Sequence, residues 1–89
     1  SGASTAKCEG REGVENKGNE EINDIEKRGD ASNDEKEEGI KRVSGELGRV
    51  EGEINGEDRR EGVKNMKEDG ITCLSGINGQ VVEKEWGRN

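Results

Sequence analysis

Eighty-nine residues suffice for one small domain, but only 24% of them are hydrophobic against 42% charged, with a net charge of -7. That acidic balance repels nucleic-acid phosphates and anionic lipid headgroups, so neither is an expected partner. No run approaches the ~18 consecutive apolar residues of a membrane helix, and no signal peptide is visible, so the expectation is a soluble chain of undefined compartment.

Val, Ile and Leu together number 14 and Phe is absent. So small an apolar inventory predicts marginal order as an isolated monomer, or order borrowed from a partner chain. The absence of Pro leaves helices unbroken. The missing Phe, Tyr, His and Pro beside 15 Gly also suit a designed or simplified-alphabet helical scaffold.

In chain order, residues 1–18 read as a flexible N-terminal segment with Val14 as its one sizeable apolar anchor. A helix is expected over 19–28, with Asn19 as N-cap, Glu20 and Glu21 in its first turn and Ile22 and Ile25 on one face. Arg28-Gly29 supplies its stop signal.

The next helix, near 33–56, carries the clearest signals. Ser32 and Glu35 are spaced for a capping box. Glu37 with Lys41, and Glu38 with Arg42, are i,i+4 pairs in the favourable orientation. Ile40, Val43, Leu47, Val50 and Ile54 then recur at steps of three and four, a stripe that buries a shared seam with another helix. Glycines 39, 45, 48, 52, 56 and 62 fall off that seam and weaken the helix, so packing must hold it.

The register lapses after Ile54, and Asn55-Gly56 marks a break. A third helix near 58–69 with Val63 and Met66 would fold back on the second as an αα-hairpin. Residues 70–89 admit two readings. Asn78-Gly79 between β-prone runs signals a hairpin ending near Trp86, while Met66, Gly70, Cys73, Ile77 and Val81 continue at helical steps.

Residues Asp24 to Glu35 partly resemble an EF-hand calcium loop, with Asp24, Gly29, Ser32 and Glu35 at its first, sixth, ninth and twelfth positions. Arg28 stands where an oxygen ligand belongs. Asp24, Asp30 and Glu35 are thus weak metal candidates, and the alternative function they carry is weak calcium binding. Arg28-Gly29-Asp30 resembles the integrin-binding tripeptide, though a helix end followed by a turn explains the same residues. Gly13 to Gly18 has phosphate-loop spacing, but Asn19 replaces the required Lys. Cys8 and Cys73 are either a disulfide pair closing a long loop or two separate thiols.

With no His or Tyr and too few apolar residues to wall off a pocket, no enzyme and no cofactor are expected. The fold class is mainly α: amphipathic helices packed as a small bundle or short coiled coil, with the C-terminal hairpin open. The expected function is a non-catalytic assembly or interaction module docking a protein helix, of another chain or the same chain. Its contact residues would be Ile40, Val43, Leu47, Val50 and Ile54, with Val63 and Met66. Glu46 and Glu51 would face each other across a parallel homodimer, as would Glu53 and Asp58, which favours a basic partner helix or packing within the chain.

Overall fold

With no Pro to interrupt them, three long helices form. In the computed structural model, which describes residues 2–82, they are α1 (Gly2–Glu26), α2 (Asn33–Gly56) and α3 (Arg60–Gly79). Among the described residues there is no strand.

The glycine contacts set the topology. Gly10 of α1 lies against Ile54 and Gly18 against Leu47, so α1 and α2 run antiparallel. Gly10 also meets Val63 and Gly13 meets Lys67, so α1 and α3 run parallel. The result is an up-down-up three-helix bundle in which each helix packs on both others.

Its core holds Val14 and Ile25 from α1, Val43, Val50 and Ile54 from α2, and Val63, Leu74 and Ile77 from α3, with Val81 just beyond. Ala6, Ile22, Ala31, Ile40, Leu47, Met66 and Val82 pack around it, partly buried. One chain therefore closes a core without a second copy.

The capping box forms as read. Ser32 Oγ accepts from Glu35 N at 3.1 Å, and Glu35 Oε1 accepts from Ser32 N at 2.8 Å. Asp34 and Glu35 occupy the first turn, where the helix dipole favours negative charge. Ser32→Ala is expected to lower stability by about 1 kcal/mol, read as a lower urea midpoint at unchanged slope.

Two expectations are corrected. The segment 1–18 is not flexible loop: from Gly2 onward it is the larger part of α1, and Asn19 is a mid-helix residue rather than an N-cap. The inward positions of α1 are Gly10, Val14, Gly18, Glu21 and Ile25, all buried, at steps of four, four, three and four. A count of large apolar residues misses that stripe, because two of its members are glycines and one is a glutamate.

The C-terminal hairpin is also not formed. Helix α3 runs to Gly79, with Val63, Gly70, Leu74 and Ile77 buried along one side. The expected hairpin end at Trp86 lies outside the described residues. Asn-Gly instead ends a helix twice, as Asn55-Gly56 in α2 and Asn78-Gly79 in α3.

A shared device explains those ends. None of the three helices has a basic residue in its last turn, yet each C-terminal carbonyl receives a cation from elsewhere. Lys36 Nζ donates to Glu26 O at 3.2 Å, Lys7 Nζ to Asn55 O at 2.8 Å, and Arg28 Nη1 to Asn78 O. Both asparagine side chains join in: Arg11 Nη1 donates to Asn55 Oδ1 at 2.7 Å and Arg28 Nη1 to Asn78 Oδ1 at 2.9 Å. Orphan carbonyls and the negative end of each dipole are thus answered across the bundle.

Candidate functional site

All seven residues expected to form an interaction surface converge on the same core. Val43, Val50, Ile54 and Val63 are at most 2% exposed, and Ile40, Leu47 and Met66 pack against them. The helices that cover the seam are α1 and α3 of the same chain. Gly39, expected off the seam, is buried too, because a Cβ there would stand 3.0 Å from Val81 Cγ2 and 3.4 Å from Ile25 Cδ1.

Among the described residues, the three calcium-loop candidates do not gather into one acidic cluster. Asp24 lies within α1, Asp30 accepts from Arg28 at 2.8 and 2.9 Å, and Glu35 serves the α2 cap. These three residues are divided among a helix end, a connection and a helix start, so no ligand-bearing loop surrounds one point. The same contacts bind the Arg28-Gly29-Asp30 tripeptide to itself and to Asn78. Arg28 holds the Asp30 carboxyl below its ordinary range through that hydrogen bond. Gly13 to Gly18 is helix, not a phosphate loop.

Cys8 and Cys73 are separate exposed thiols. Because Gly10 faces Val63 on a parallel neighbour, Cys73 is level with about Glu20. That is roughly twelve residues past Cys8, or about 18 Å along the axis. A disulfide needs Cα atoms within about 7 Å, so the bundle does not bring the two together.

The outward faces are charged and carry ion pairs of their own. Arg49 donates to Glu46 and, at 2.9 Å, to Glu53, and its hydrogen bond lowers the Glu46 pKa. Lys41 lies 3.6 Å from Glu37 as the i,i+4 spacing predicts. Arg42 reaches across to Gln80 Oε1. An open groove between α1 and α3 is lined by Arg60, Lys64 and Lys67 beside Glu9 and Glu61.

Helix α2 also carries a pH-sensitive contact. Burial, and then a hydrogen bond with Glu15, raises the Glu51 carboxyl above its ordinary pKa of 4.5. A carboxyl raised in the folded state contributes stability that is complete below its unfolded pKa and lost as pH rises through its folded value. Glu51→Gln should therefore be more stable than the parent at pH 7, with the difference closing towards pH 4.5. Thermal midpoints of both proteins across that range check it.

The bundle's limits coincide with those of a known family. The family model described as Domain of Unknown Function (DUF1542) matches residues 6–82. The chain belongs to this family. The DUF1542 match begins in α1 at Ala6 and ends just past α3 at Val82, so the family unit here is the whole three-helix core. No curated protein and no solved structure matches the chain. Among the described residues of this DUF1542 member, no helix is long and apolar enough to cross a membrane.

Sequence reasoning missed Glu21. It is 5% exposed on the inward stripe of α1, with Oε2 3.3 Å from Lys17 Nζ and Oε1 buried without a hydrogen-bond partner. The signal was present as the place of Glu21 in the spacing Val14, Gly18, Glu21, Ile25. An acidic residue there is read as solvent-facing unless glycine is counted as an inward position.

Proposed function

We propose that this chain is a non-catalytic helical module that serves assembly by holding shape. Its aliphatic seam docks partner helices, and those partners are its own α1 and α3. One observation carries this reading: the residues best suited to bind another helix are already consumed in the core. Two reversals of direction place the start of α1 and the end of α3 at opposite ends of a rod. Its 25-residue first helix is about 37 Å long. Such a rod separates whatever adjoins its two ends. Contacts with other proteins then fall to the charged outer faces, where helices of basic character match the net charge of -7.

Sedimentation velocity with circular dichroism over a concentration series tests the proposal. A monomer whose helicity is independent of concentration supports it. Helicity that climbs with concentration overturns it in favour of a seam shared between chains.

A further inference from the structure

We propose that Glu20, Glu21 and Asp24 form a binding site for a divalent cation of the calcium type. Carboxylate oxygens of the three lie within 4.8 Å of one another on one side of α1. Acidic clusters on exposed helices are commonplace, and the decisive observation is the state of Glu21. Its side chain is 6% exposed, one oxygen has no partner, and a buried carboxylate oxygen left unsatisfied is energetically costly.

The protein's own answer to this charge is incomplete. Lys17 Nζ stands 3.3 Å from both Glu20 Oε1 and Glu21 Oε2, longer than the ~2.8 Å of a close charge-assisted bond. One ammonium meets two of the three carboxylates and leaves Glu21 Oε1 unanswered. A hard divalent cation takes about six to eight oxygens at roughly 2.3–2.6 Å, and carboxylates bind it through one or both oxygens. Rotation of the exposed Glu20 and Asp24 side chains closes the three groups onto one ion, and water completes its shell. Lys17, on its long stem, moves out to solvent. The site differs from the calcium-loop resemblance, of which it keeps only Asp24.

Calorimetric titration of the whole chain with calcium chloride, in about 0.15 M monovalent salt to screen diffuse attraction, tests the assignment. One ion per chain is expected, with a dissociation constant of about 10⁻⁴ to 10⁻³ M. Asp24→Asn and Glu20→Gln should each weaken binding by about tenfold, while Asp34→Asn, an equal change of charge at the start of α2, should leave it unaltered. Lys17→Met removes the competing ammonium and leaves every carboxylate in place, so it should tighten binding several-fold even if a carboxylate variant fails to fold. Equal weakening by Asp24→Asn and Asp34→Asn would mean only diffuse attraction and overturns the proposal. So does unchanged or weaker binding to Lys17→Met, or no heat up to about 10 mM calcium.

Discussion

Leu74→Ala should cost about 3–5 kcal/mol, the range for truncating a fully buried leucine whose surroundings cannot collapse onto the cavity. Leu74 is 0% exposed and is the only fully buried leucine among the described residues. A domain of this size has about 5–15 kcal/mol in total, so the variant should lose a large share of its urea midpoint or fail to fold. Ile71 is the informative control. It lies three residues earlier, outside the buried core, and Ile71→Ala should cost well under half as much. Comparable losses at Ile71 and Leu74 would mean that α3 turns a different side to the core.

The second large effect runs the other way. Gly45, Gly48 and Gly52 of α2 and Gly76 of α3 have nothing within 4 Å of where a Cβ would be. Each is an exposed helical glycine that weakens its helix by about 0.8–1 kcal/mol relative to alanine. The four-fold alanine variant should gain roughly 3–4 kcal/mol, read as a higher urea midpoint with helicity retained. Gly70→Ala should do the opposite. Its Cβ would stand 2.8 and 3.0 Å from the two methyl carbons of buried Val50, a β-branched residue with little freedom to yield. A loss of about 1–3 kcal/mol is expected. A quartet that destabilises, or a Gly70→Ala that stabilises, would mean the helices face differently.

The contrast between these glycines shows where sequence reading succeeds and where it stops. Helix α2 was legible from end to end because its signals are local: a Ser32 and Glu35 cap, then aliphatics at helical steps to Ile54. The fold-back after Asn55-Gly56 was legible for the same reason. Helix α1 was not, since Gly10, Gly18 and Glu21 face inward and their composition alone suggests loop or solvent. Gly18 is an interior residue only because Leu47 fills the space beside it, where a Cβ would collide with its Cδ1. The proposed cation site shares this history. Glu20 and Asp24 look like ordinary surface acids until the burial of Glu21 beside them sets them apart.

Asn-Gly makes the same point about turns. Both residues tolerate unusual backbone angles, which suits a hairpin between extended runs and equally suits the end of a helix. Lys7, Arg11 and Arg28, distant in sequence, supply the donors that make them helix ends here.

By itself, then, the amino-acid order determined a mainly helical chain, the bounds of α2 and the seam residues, because backbone hydrogen bonding, capping and periodicity act over a few residues. Which helices cover that seam, how far α1 and α3 extend, and which acids become buried were decided only by tertiary packing. Close approach of three backbones turns glycines into core positions and substitutes distant cations for missing local caps, and neither effect acts within one helix.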